Sequence, residues 1–213
     1  MIKRVSLVII IFCLVGMLYA QDWKRGDTKD GITSYTREVP GSKIKALKLE
    51  ADFEASASQL VAVILDINAC TDWLYSTKSC AVVKAVSPSE IYYYSEISFP
   101  WPTANRDFVS HLKVVQDPAT KQVTIQAENV SLYVPEKKGI VRIRESTGKW
   151  IIRTVAKNKI HIVYELQVDP GGSLPSWLVN MLSEKGPYES FKSLRKQVKK
   201  PAYANARFSF ITE

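Results

Sequence analysis

Several familiar signatures of enzymes and metal proteins are missing from this chain. There is no CxxC pair, and only two histidines, His111 and His161, occur in 213 residues. That leaves too few imidazole and thiolate ligands for an ordinary zinc set, so no metal or other cofactor is expected. GxSxG and HExxH are absent, and no cysteine and histidine have local support as a nucleophile and base, so the common hydrolase motifs are missing. No repeat, low-complexity linker or composition shift marks a second domain, and the length suits one domain of generous size.

The strongest apolar run lies at the start, Val5 to Tyr19, after the basic pair Lys3 and Arg4 and before Ala20. It is shorter than the ~20 residues a spanning helix needs. The layout is that of a secretory signal peptide, residues 1–20, cleaved near Ala20, with a mature domain of residues 21–213 that is secreted or periplasmic. Leu18 stands where a small residue is usual, and an uncleaved anchor is the rival reading. The formal charge is +8, and loss of Lys3 and Arg4 brings it to +6. A basic domain suits anionic membrane surfaces or nucleic acid. Export argues against nucleic acid and leaves transient membrane contact, with the protein expected to be monomeric. Two cysteines remain in the mature chain, Cys70 and Cys80. In an oxidising compartment they are a disulfide candidate, the alternative being two separate buried thiols.

What is present is mostly β pattern. Leu47, Leu49, Ala51 and Phe53 alternate with Lys48, Glu50 and Asp52, the period of a half-buried strand. Further strands are predicted at 31–37, 80–86, 90–98, 106–115, 121–128, 139–145, 149–155 and 159–168, with turn signals between them. Residues 22–30 read as a polar lead-in. Ser56, with Gln59 three positions on, opens a short helix whose apolar face carries Leu60, Val61, Val63, Ile64 and Ile67. From Gly171 to Lys200 runs the longest helical pattern. Ser173 is its candidate cap. Trp177, Leu178, Met181 and Leu182 form an apolar face, and Gly186-Pro187 interrupts it. Tyr188, Phe191, Leu194 and Val198 then oppose Lys192, Arg195, Lys196 and Lys199. Short connections imply antiparallel neighbours, and so many strands must curl. The expected fold is α+β, a helix-grip: a curved antiparallel sheet of about nine strands wrapped around a long C-terminal helix.

The run IYYYSEISFPWPTANRDFVSHLKVV resembles the central part of START domains, the lipid-transfer modules related to the steroidogenic acute regulatory protein. VPEKKGIVRIRES, ELQVDPGGSLPSWLVN and ESFKSLRKQV are similar to later pieces of that family, over residues 30–200 in all. The resemblance implies a hydrophobic tunnel closed by the C-terminal helix, holding a sterol, phospholipid or similar lipid without covalent chemistry. It places Glu96 near an acidic cavity residue of the sterol-binding members, with Tyr92 and Tyr94 on the same strand face. The arginine that pairs with that acid is replaced by Leu112, and Arg142 or Arg144 is left as a substitute. Arg106 and Asp107 match an Arg-Asp read as a structural pair. Phe108, Ser110, Leu112 and Val114 share one strand side, read as facing the ligand, the alternative being a solid core. Trp177, Met181 and Tyr188 fall on the covering helix. Glu96 has a rival reading as a solvated strand-edge acid. The competing function is a hydrolase or cyclase on the same architecture, acting on an apolar substrate.

Overall fold

The computed structural model describes residues 22–42, 44–172, 174–175, 178–179 and 185–213. The candidate signal peptide, Trp177, Met181, Leu182 and the Ser173 cap lie outside them. In chain order the strands are β1 (Lys24–Lys29), β2 (Ile32–Arg37), β3 (Ala46–Phe53), β4 (Thr77–Ser87), β5 (Glu90–Ile97), β6 (Arg106–Gln116), β7 (Val123–Asn129), β8 (Val141–Arg142), β9 (Glu145–Ala156) and β10 (Lys159–Asp169). Helix α1 (Ala57–Leu65) follows β3, and α2 (Gly186–Gln197) follows β10.

One sheet carries all ten strands, in the order β1-β2-β3-β10-β9-β7-β6-β5-β4, with the two-residue β8 pairing parallel to the start of β6. Every other pairing is antiparallel. The chain makes a three-strand meander, crosses through α1 to the far edge, and returns strand by strand until β10 closes against β3. Predicted strand 139–145 shrinks to β8, where the buried Arg142 holds the preceding loop through three of its carbonyls. The lead-in is a strand after all. Asp30 and Gly31 both have positive φ, 50° and 68°. That is the backbone a two-residue hairpin turn requires, so the Asp-Gly dipeptide pairs β1 with β2 although every residue of β1 is exposed.

α1 starts at the predicted cap: Ser56 Oγ accepts from Gln59 N at 3.2 Å, and Gln59 Oε1 accepts from Ser56 N at 2.8 Å. The Glu213 carboxylate accepts from Ala57 N and Ser58 N at the same end. Here a carboxylate meets the positive end of the helix and two of its unpaired N–H groups.

The inward faces follow one parity. Leu49, Ala51 and Phe53 of β3, Ile125 of β7, Ile152 of β9 and Ile160 and Ile162 of β10 are all buried with α1 in one core. α2 lays Phe191 on Trp150, ring centroids 5.4 Å apart and 7° from parallel, and edge-on to Phe53 at 6.1 Å. Leu194 and Val198 continue that buried stripe. Cys70 and Cys80 are bonded, with Cα atoms 6.4 Å apart, so the 3-10 turn Ile67–Asp72 is stapled to β4.

Candidate functional site

The concave face is filled at one end and hollow at the other. Leu112 and Val114 of β6 belong to the packed end. Phe108 and Ser110, on the same side of the same strand, border two adjoining lobes of about 180 and 160 Å³. On the same measure a water needs roughly 10–15 Å³, so each lobe is an order of magnitude larger than a packing defect. Ile97, Phe108, Tyr164 and Leu166 stand in the walls of both lobes.

The first lobe lies between β5, β6, β7, β9 and β10 and reaches Phe99, Ile143 and Pro170 at its outer end. Gly148 sits mid-strand in its wall. A Cβ there would meet Ala127 Cβ at 3.5 Å and the Tyr164 hydroxyl at 3.7 Å, so the missing side chain leaves room for the tyrosine. The second lobe is closed by the segment Trp73 to Thr77 and by Gly186, Pro187, Ser190 and Phe191 of α2. Tyr75 N donates to Ser190 Oγ at 3.0 Å, joining those two walls.

Tyr93 of β5 is paired with Ser110, and Ser95 with Phe108. Directly opposed residues share a sheet face, so Tyr93, Ser95 and Ile97 look into the cavity. Tyr92, Tyr94 and Glu96 therefore point away from it, contrary to the sequence expectation. Tyr92 stacks between His111 and Tyr133 at 4.5 and 4.4 Å. Tyr94 lies under Lys137 at 3.9 Å. Burial, with Asp107 and Glu96 adding, pushes its phenol up to about 12. Glu96 Oε1 accepts from Lys78 Nζ at 2.9 Å and Asn105 Nδ2 at 2.7 Å. The Lys78 ammonium holds its carboxyl below the usual range, against the opposing effect of burial, and Asn105 adds to the lowering. It is neither a cavity acid nor a solvated edge residue, but a buried acid of the outer face, 6% exposed.

The arginines are also reassigned. Arg142 does not reach Glu96. It grips Asp107 with two hydrogen bonds of 2.7 and 3.1 Å, and donates to the carbonyls of Ser131, Val134 and Pro135. Arg144 pairs with Glu136. Arg106 and Asp107, as neighbours on a strand, face opposite ways and do not pair. Arg106 donates instead to Ala104 O, Pro170 O and Gly171 O, tying the segment before the C-terminal helical region to β6. Tyr188 is on α2 as predicted, but its hydroxyl donates to Asp30 on the β1–β2 hairpin, and it lies outside the walls of both lobes.

Tyr93, Ser95 and Ile97 were missed although a signal existed. In Glu90 to Ile97 the charged residues Glu90 and Glu96 occupy one parity, and Ile91 and Ile97 the other. The run of three tyrosines masks that alternation. Tyr164, Leu166 and Trp150 of the cavity were missed because their strands carry no local hint of what faces them.

A family model described as START domain matches residues 17–203. An uncharacterized protein of Pseudomonas aeruginosa is 29% identical over 201 residues, spanning 93% of this chain and 98% of that one. Phosphatidylcholine transfer protein of Rattus norvegicus is 25% identical over 183 residues, 84% of this chain and 85% of the relative. Among solved structures, a STAR-related lipid transfer protein fragment from Xanthomonas axonopodis aligns with a TM-score of 0.76 at 32% identity, covering 84% of this chain and 99% of the fragment. With a matching family model over most of its length and a cavity under its last helix, this chain belongs to the START domain family.

Proposed function

We propose that the protein binds a hydrophobic lipid in the two-lobed cavity and transfers it between membranes without covalent chemistry. The observation that carries this reading is the hollow beneath α2, bounded by apolar and aromatic side chains with a few neutral hydroxyl and amide groups among them. Burying a lipid chain there gains roughly 0.8 kcal/mol per CH₂, ample affinity without any charged contact. A carrier rather than a hydrolase or cyclase is favoured by where the histidines sit. His111 bonds Glu90 on the outer face, and His161 bonds Asp52 at the surface.

Exchange is assigned to movement of the C-terminal helical region and the loops beside it, with Gly171 and Gly172 as the flexible lead. Both have positive φ, 69° and 70°, a conformation that favours glycine. Membrane contact is assigned to the loop after β5. Phe99 in that loop lines the first lobe, while Trp101, two residues on, is 92% exposed. An exposed indole suits the headgroup layer of a bilayer. The basic side of α2 and the turn after it are a weaker candidate, since Lys192 pairs with Glu189, Arg195 donates to Asp30 O, and Lys200, beyond the helix, pairs with Asp72. Export after cleavage near Ala20 is part of the reading, and the Cys70–Cys80 bond supports an oxidising compartment.

The test is native mass spectrometry of protein purified from its own compartment, followed by a vesicle transfer assay. A non-covalently held lipid of defined mass, and its movement from donor to acceptor vesicles, are expected. Protein that neither retains nor takes up lipid, or that converts the lipid chemically, overturns the reading.

A further inference from the structure

Among the described residues the lobes have polar groups in their walls but no charged ones. Tyr93, Tyr164, Ser95, Ser110, Ser146 and Asn129, with the Ser76, Thr77 and Ser190 hydroxyls, Tyr75 and the indoles of Trp73 and Trp150 at the far end, supply the polar side chains in their walls, and all of these are neutral. Among the described residues no Lys, Arg, His, Asp or Glu stands in either wall. Lys185 Nζ lies over the ring of Tyr75, 5.7 Å from its centroid, and is not in the wall itself. Three further ionic groups near the sheet strands are engaged elsewhere. Arg106 is spent on three backbone carbonyls, and Glu96 and Asp107 face the opposite side of the sheet with their own cations.

Two phenols stand out. Tyr164 borders both lobes, and its hydroxyl lies beside Gly148 in the wall of the first. Among the described residues it has no hydrogen-bond partner. Tyr93 stands in the first lobe, within reach of the Ser110 hydroxyl. Burial raises both phenols, Tyr93 to about 12, so both keep their protons at neutral pH. An O–H without an acceptor inside an apolar cavity is unfavourable, and an oxygen on the guest would satisfy it. A formal charge brought into the same space meets no counter-ion in the walls among the described residues and loses its hydration.

We propose that the enclosed part of the guest is a lipid segment bearing an uncharged oxygen, hydroxyl or carbonyl, that accepts hydrogen bonds from Tyr93 and Tyr164, and that lipids which would carry a formal charge inward are rejected. This rests on the lipid-binding reading above and narrows it to neutral polar lipids.

The experiment is displacement of a fluorescent apolar probe from the purified, delipidated protein at neutral pH. The competitors share one chain length: a monoacylglycerol, the free fatty acid, the lysophosphatidylcholine and the plain alkane. The monoacylglycerol is expected to bind at least roughly tenfold more tightly than either charged lipid. Tyr93→Phe and Tyr164→Phe are each expected to weaken monoacylglycerol binding roughly three- to tenfold, with alkane binding unchanged. Alkane binding doubles as the check that a variant is folded. Equal or tighter binding of the fatty acid or lysophosphatidylcholine overturns this inference, as does indifference to both substitutions, and either leaves lipid binding intact. Failure of the probe and of every competitor to bind overturns the lipid-binding reading itself.

Discussion

Asp107 and Arg142 show how much of this sheet's outer face is internal. Both side chains are 1% exposed, and Arg142 adds three loop carbonyls to its carboxylate partner. The pair pins the segment between β7 and β9 across β6. Removing one partner strands the other charge in a dry site, so Asp107→Asn should cost about 3–5 kcal/mol. Urea unfolding measures it, and a loss below 1 kcal/mol would show that the charge finds water. Glu96 gives a pH effect of defined sign. Its native pKa is depressed by Lys78, so its contribution is present at neutral pH and fades as pH falls through the ordinary value of 4.5 toward the lowered native one. Glu96→Gln should therefore flatten the fall in melting temperature from about pH 5 downward through the ordinary value, and parallel curves for the two proteins there would contradict the pairing. At this scale the sequence was only half legible. Ser110 and Phe108 could be put on one strand side from alternation alone. Which side of β5 met them depended on the register across the 98–105 loop, and no residue there announces it.

Among elements, the 70–80 loop is the least expected contributor. Its disulfide was a candidate from spacing and compartment, yet nothing in the sequence said that Trp73 to Thr77 would close one end of the cavity. A cross-link over so short a loop contributes about 2–3 kcal/mol in the chain-entropy account. The double variant Cys70→Ser/Cys80→Ser should lose about that much stability. It should also release bound lipid faster, since the wall it frees is the one joined to α2 through Tyr75 and Ser190. Chemical denaturation and stopped-flow release report the two effects separately, and unchanged release would detach the staple from the cavity. β1 escaped notice for the opposite reason. It has no apolar residue to show a period, and only the Asp-Gly turn betrays it. α1 was plain, because its cap and its apolar face agree.

For the whole molecule the architecture was readable because turn signals punctuate the strands and short links force antiparallel pairing. The hollow was not, because an inward apolar residue looks the same whether it meets a neighbour or a void. Leu112 and Phe108 share a face, and only the position of α1 and α2 above them decides which is packed. The side proposed to meet the membrane belongs to this scale too. Trp101→Ala should slow transfer between vesicles while leaving lipid affinity in solution unchanged, and equal transfer rates would move the docking face elsewhere. One last consequence follows from the stitched wall at Cys70–Cys80. A wall held by one covalent stitch is open to thiol chemistry. Under the lipid-binding proposal, dithiothreitol should loosen Trp73 to Thr77 and quicken the departure of cargo, and an unchanged departure rate would show that this side of the chamber takes no part in unloading.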